Sequence, residues 1–332
     1  LDLATGPSGM ALTDIFQALQ TGPGGLEAVR ERLPGVMPEM RKLHSNANIL
    51  WHVRMPPALM GALVGMCLGL GGLQMQTILD NPLASPFTLG FSAAAGFGAA
   101  LAIMFGGLLP VPGYALTPAA AFGMTLAACA LIYLLALARG ANPEVLILGG
   151  IAVLFFFQSV QSLLQYIASP EILQQIVFWL FGNLLKASWT SVAVGLATLV
   201  LCLPFIIRDT WALTTLRLGD ANAMSLGIHV DRLRRRSFII VSLLTAAAVS
   251  FIGTIGFVGL IAPHMARSLV GEDHRFALPL AAVTGAVILI GASVVGKILS
   301  PGGAIPVGII TAVAGVPMLF GIILRSGQRS AA

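Results

Sequence analysis

The chain has 332 residues, 57% of them hydrophobic and only 9% charged, with a mean hydropathy of +0.92 and a formal net charge of +5. Soluble domains carry about 25% charged residues, so a water-soluble globule is excluded and lipid must solvate much of the surface. In such a chain the modest positive charge argues for no nucleic-acid partner; its distribution over loops matters more than its sum.

Residues 1–54 read as a polar periplasmic segment, with a short helix around LTDIFQAL. The chain begins at Leu1 without Met, shows no signal-peptide pattern, and its first residues look like the tail of something removed. Apolar windows of roughly 17–25 residues mark spanning helices. They predict nine spans, at about 55–78, 90–110, 116–137, 145–167, 188–207, 237–252, 254–269, 277–297 and 305–325, in one transmembrane domain over 55–325. The run 237–269 is divided at Gly253. With the 208–236 loop in the cytoplasm, 11 of the 18 basic residues fall on that side, as the positive-inside rule favours. The 326–332 tail is then cytoplasmic and the N-terminus outside; a tenth helix before Leu1 would make the insertion simpler.

Several stretches punctuate the spans. In GALVGMCLGLGG, Gly61, Gly65 and Gly69 share one helix face suited to close packing, and Gly90, Ala94 and Gly98 repeat the pattern. LDNPLASPFTLG places Asn81 before Pro82 and Ser85 before Pro86, which drives the backbone out of the helical region. It reads either as an ordinary turn or as irregular lining of a transport route. Residues 168–187 are amphipathic and suit the membrane interface, with Trp179 and Trp189 as belt aromatics. Gln158, Gln161 and Gln165 share one face of the fourth span; they suit either a polar passage or hydrogen bonding between helices.

LGDANAMSLGIHVDRLRRR has Asp220 as an N-cap and a short helix ending near Gly227, a shape that docks into a partner's groove. Arg232, Arg234, Arg235 and Arg236 then read as an anchor on anionic lipid. His264 and His274, with Glu272 and Asp273, suggest a metal at first sight. Packing or hydrogen bonding explains His264 better, and the two acids suit the start of the next helix. Cys67, Cys129 and Cys202 lie in apolar segments and read as small buried hydrophobes. No catalytic constellation and no phosphate-binding loop occurs, so the chain has no usual means of hydrolysing ATP. Ionisable residues cluster at span ends, which argues against an ion-driven carrier.

NPLASPFTLG, GDANAMSLGI, GFVGLIAPHMARSLVGEDHRFALPL and IPVGIITAVAGVPMLFGIILR, in this order, resemble the FecCD-type permeases. These are membrane subunits of binding-protein-dependent ABC importers for iron-siderophore complexes, haem and cobalamin. The resemblance runs from about residue 8 to residue 325. It implies an all-α polytopic fold like that of the vitamin B12 importer, with ten helices per subunit, the first missing from this chain. It implies a homodimer in the bacterial inner membrane, with two cytoplasmic ATPase subunits and a periplasmic binding protein. The chain itself would bind no cofactor, ATP and Mg being held by the ATPases. By resemblance, Asp220, Ala221, Met224, Leu226 and Gly227 form the coupling helix; Asn81 and Leu83 lie at the inner gate, with Asn142 and Pro143 facing the same constriction. The fourth and last spans would line the route, including the three glutamines. The family's R-x-P-R entry reads RMPP here, so Arg54 is kept and Pro57 replaces the second arginine. Lys297 stands at a third basic position. Arg54 and Lys297 are therefore the residues expected to meet acids of the binding protein. Ala304 replaces the usual acid before the last proline motif, and the segment from about Gly24 to Asn48 is longer than typical. The cargo order implied is ferric siderophore, then haem, then cobalamin.

Overall fold

The computed structural model describes residues 2–6, 10–23, 38–300 and 305–329, and every regular element among them is helical. The expected short helix is α1 (Leu12–Thr21), whose Ile15 and Ala18 pack with Ala47 and Leu50. Ala47 lies in α2 (Pro38–Asn48), which continues through a wide turn of π geometry, Ile49–Arg54, into α3 (Met55–Ile78). Pro56 and Pro57 account for the widening. Neither has an N–H to donate, and each ring crowds the carbonyl one turn back, so the helix opens locally instead of ending. The expected boundary at residue 54 therefore falls inside one continuous rod. Residues 24–37 and 301–304, including most of the long Gly24–Asn48 segment and Ala304, lie outside the described residues.

The chain continues through α4 (Phe91–Phe105), α5 (Gly113–Arg139), α6 (Pro143–Ile167), α7 (Pro170–Leu180), α8 (Trp189–Leu216), α9 (Asp220–Ser225), α10 (Val230–Ile252), α11 (Val258–Val270), α12 (His274–Leu299) and α13 (Val307–Arg329). Among the described residues seven helices are long and apolar enough to cross a membrane: the α2–α3 rod, α4 with its extension to Leu108, α5, α6, α8, α10 and α12. The expected count of nine is not reached. The span expected at 254–269 is the 13-residue α11, about 20 Å long at 1.5 Å per residue against a hydrocarbon core of about 30 Å. The span expected at 305–325 is apolar helix over Val307–Gly321.

The split at Gly253 does occur, and its physical cause is visible. Gly253 sits at φ 87°, open to glycine and costly for residues with a Cβ. Residues 253–257 are irregular, and the end of α7 with the turn after it bonds to their start and to the Thr254 side chain. Asn183 N–H donates to Ile252 O at 2.7 Å, and Thr254 Oγ1 donates to Leu180 O at 2.5 Å. Irregular backbone at membrane depth needs such protein partners. The 168–187 segment is corrected accordingly. Its helix α7 packs on α4, burying Ile176 and leaving Trp179 only 4% exposed, so Trp179 is a core residue and no belt aromatic. Trp189 is half-exposed; it stacks on Trp51 at 6.2 Å and donates its indole N–H to Trp51 O at 3.0 Å.

The bundle is organised around α3, nearly all of whose residues are buried, against α12, α10, α11 and α8. Gly65 and Gly69 of α3 meet the backbone of Gly285 and Ala281 of α12, and Gly72 meets Gly259 of α11. A Cβ at any of the three would overlap a carbonyl oxygen across the seam, which explains the glycine face read from the sequence. Gly98 of α4 lies as closely on Ala120 of α5. We expect Gly69→Ala to destabilise the purified protein by about 1–3 kcal/mol through overpacking, read as a lowered melting midpoint in detergent. Gly291→Ala in α12, where a Cβ meets nothing within 4 Å, serves as the comparison. Equal midpoints for the two variants would contradict the packing account. The three cysteines are buried and unpaired.

Candidate functional site

At one end of the bundle the α3–α4 loop, the turns flanking α9 and the α11–α12 turn converge. Helix α9 starts after Gly219 at φ 94° and is followed by Gly227 at φ 81°, so it is held between two reversals of the chain. Ala223 is its buried anchor. Met224 and Leu226 point outward, 58% and 55% exposed, and Ala221 is also exposed. Such apolar side chains on a short surface helix are available to a partner. Asp220 is not the N-cap expected from the sequence; it is the first helical residue. Its carboxylate receives both terminal nitrogens of Arg234, at 2.8 and 2.7 Å. A cavity of about 730 Å³ opens beside α9, bordered by Asn142, Asp220, Met224, Gly227, Arg232 and Arg235 among others.

Arg234, expected with its neighbours as an anchor on anionic lipid, faces inward instead. It is buried, and its Nε also donates to Ile78 O at 2.9 Å. One guanidinium thus joins the start of α9 to the last carbonyls of α3, which have no partner within their own helix. The sequence held a signal for this. Arg234, Ser237, Phe238 and Val241 recur at helical spacing, and all four are buried. Arg236 pairs with the buried Asp209 of α8.

A second network lies alongside. Arg217, just after α8, contacts Asp80 at 2.9 Å and Glu272 at 3.2 Å; Arg267 of α11 reaches Glu272 at 3.6 Å and Gln76 Oε1 at 2.5 Å. Asp80 is one of two described non-glycine residues at positive φ, 45°, the other being Phe257 at 68°. Both backbones are strained, one in the α3–α4 loop and one at the start of α11. His274 is fully buried. Its Nε2 lies 2.7 Å from Thr77 Oγ1 and its Nδ1 3.1 Å from Glu272 O, so both nitrogens are occupied by the protein. Asp273 caps α12 by accepting from Arg275 N–H at 2.9 Å. Hydrogen bonds from the Arg275 side chain and backbone hold its carboxyl below the usual carboxylate range. His264 is half-buried on α11.

The expected gate residues divide. Asn81 Oδ1 accepts from Leu83 N–H at 2.9 Å, a turn that asparagine favours, and leaves Leu83 exposed at 47%. Asn142 instead caps α6 with extended backbone, with Pro143 at the first helical position, and borders the α9 cavity. On α6, Gln158 is exposed, while Gln161 and Gln165 are half-buried; Gln161 lies over Gly96 of α4.

The two expected docking cations stand at the opposite end, and neither is turned outward. Arg54 is buried, and its Nη1 donates to Leu3 O at 2.6 Å. Lys297 Nζ pairs with Asp2 Oδ1 at 2.9 Å and donates to Asp2 O at 3.3 Å. Sequence alone gives no hint that residues 2–6 cover these positions.

The family model of the FecCD transport family matches residues 1–325. The chain belongs to that family. A cobalamin import system permease of Halobacterium salinarum is 34% identical over 324 residues, covering 97% of this chain and 86% of that one. The Fe(3+) dicitrate transport system permease FecD of Escherichia coli is 34% identical over 282 residues, covering 85% and 87%. A solved chain described as an inward-facing metal-chelate type ABC transporter is 30% identical, with a TM-score of 0.78 over 95% of this chain and 98% of that one. This FecCD protein is therefore an ABC importer permease, a multi-pass transport subunit.

Proposed function

We infer that this permease moves an iron chelate across the inner membrane, from periplasm to cytoplasm, by alternating access driven by ATP hydrolysis on partner subunits. A ferric siderophore is the first-choice cargo and haem the second. The observation that carries the reading is α9. It offers Met224 and Leu226 outward while Arg234 ties its first residue to α3. In this reading a cytoplasmic ATPase seats on α9, and its closure is delivered to α3 through Arg234 and to α8, α11 and the 271–273 turn through Arg217 and Glu272. Two copies of the permease enclose the route, α6 and α13 face it, and a binding protein docks at the Arg54–Lys297 end. There it must displace residues 2–6 or bind over them.

The dicitrate relative favours iron. Cobalamin, third in that order, is the alternative favoured by the Halobacterium relative that spans nearly the whole chain. The test is reconstitution with the cognate ATPase and binding protein in proteoliposomes. Radioiron–siderophore uptake that requires ATP is expected, with cobalamin a weak competitor. ATP-dependent uptake of cobalamin alone would shift the assignment to cobalamin. Transport without ATP or partners would remove the importer reading altogether.

A further inference from the structure

A second groove shares Arg232 and Arg235 with the α9 cavity but runs between α5, α8 and α10. Helix α10 packs against both α5 and α8, which barely touch each other. The gap between them is a cavity of about 630 Å³. Its walls include Tyr133 of α5 and Leu201 and Phe205 of α8, and its floor is formed by Ile239, Ile240 and Leu243 of α10. At one end stand Arg232, Arg235 and Arg236. From Arg236 to Leu243 the floor descends about 10 Å at 1.5 Å per residue.

The four arginines of this run, alike in sequence, differ in structure. Arg234 is committed to Asp220 and Ile78, and Arg236 to Asp209. Arg232 is exposed and forms no ion pair among the described residues; Arg235 donates its Nε only to its own helix, to Asp231 O at 3.3 Å. The sole acid paired at this mouth, Asp209, is already neutralised by Arg236. Two guanidinium groups that form no ion pair among the described residues, with Asp231 as their nearest acid in sequence, therefore stand at the mouth of an apolar slot. Guanidinium groups bind phosphate oxygens in a fixed fork, and basic pockets between membrane helices on the cytoplasmic side hold anionic headgroups.

We propose that the α5–α8–α10 groove is a binding site for one anionic phospholipid of the surrounding leaflet, its phosphate on Arg232 and Arg235 and an acyl chain between Leu201, Phe205 and Leu243. The slot requires an acyl chain, so a soluble phosphate ester lacks half of the interaction.

The test uses the full-length permease in nanodiscs of phosphatidylcholine doped with phosphatidylglycerol, followed by native mass spectrometry of the lipid retained after release into detergent. Retained phosphatidylglycerol should exceed its share of the bilayer. Arg232→Gln with Arg235→Gln should cut that enrichment by about twenty-five-fold, at roughly fivefold per arginine. Leu201→Trp, which fills the slot from an exposed position, should cut it without changing charge. Arg208→Gln, an exposed arginine outside the groove, should leave it unchanged. Equal retention of the two lipids by the unmodified protein overturns the proposal, whatever the variants do. So does an equal loss in Arg208→Gln, which would indicate diffuse attraction to a basic surface. Displacement of the lipid by millimolar glycerol phosphate would point to a phosphate-ester site instead. Circular dichroism and melting midpoints show that the variants remain folded.

Discussion

Met224→Glu combined with Leu226→Glu should abolish co-purification of the ATPase while the permease still inserts and melts normally. Both side chains are more than half exposed, and neither belongs to the cores that hold the bundle together. Their loss therefore costs little folding energy. Burying a Met or Leu contributes about 1.5–3 kcal/mol each, so the pair accounts for roughly 3–6 kcal/mol of a docked interface. A tenfold change in affinity is about 1.4 kcal/mol, and a carboxylate forced into an apolar groove adds a further penalty. Affinity should fall by at least on the order of a hundredfold, read by pull-down of tagged permease and by loss of ATP-driven uptake. Retained complex at unchanged yield would remove α9 as the docking element.

Arg234→Ala is expected to separate ATP hydrolysis from transport. It deletes two hydrogen bonds to Asp220 and one to Ile78 O. Hydrogen bonds to charged groups contribute about 1.5–3 kcal/mol each when partners are lost. Asp220 is half-exposed and can be rehydrated, so we take about 3 kcal/mol in total. On that scale the population with α9 correctly held against α3 falls on the order of a hundredfold. ATPase subunits should still bind through Met224 and Leu226, and hydrolyse ATP, with little uptake. Arg234→Lys, which keeps the charge but lacks the planar fork, should recover only part of it. Uptake at the unmodified rate in Arg234→Ala would show that the link carries nothing.

Much of this was legible before the structure, for identifiable reasons. Long apolar windows report helices because lipid forces backbone groups to pair within the segment, and Gly253 reported the break because a reversal there needs positive φ. The glycine spacing on α3 reported a packed face. What failed was orientation about the helix axis. Trp179 looks interfacial when its segment is compared with a flat membrane, yet its neighbour is α4. The arginine run looks uniform because consecutive residues on a helix diverge by about 100°, and only the buried stripe from Arg234 to Val241 separates the inward arginine from the outward ones. Contacts such as Asp2 with Lys297 join residues nearly the whole chain apart, and no local pattern encodes them. Helix α11 was overestimated because apolar composition continues through the irregular 253–257 stretch.

The rod that runs from α2 into α3 has a mechanical consequence. Its 37 residues between Lys42 and Ile78 extend about 55 Å, from the Arg234 link at one end to the N-terminal segment at the other. Along α3 it is clamped backbone against backbone, with no side chains at Gly65, Gly69 or Gly72 to act as springs. In the proposed cycle a displacement applied at Ile78 would travel along the clamped α3 as far as the Ile49–Arg54 turn. The widened turn at Ile49–Arg54 interrupts the regular α-helix and contains Arg54, one of the two residues expected to meet the binding protein. If the proposed importer cycle holds, a push from the ATPase and the release of the outer partner act on the two ends of this one rod.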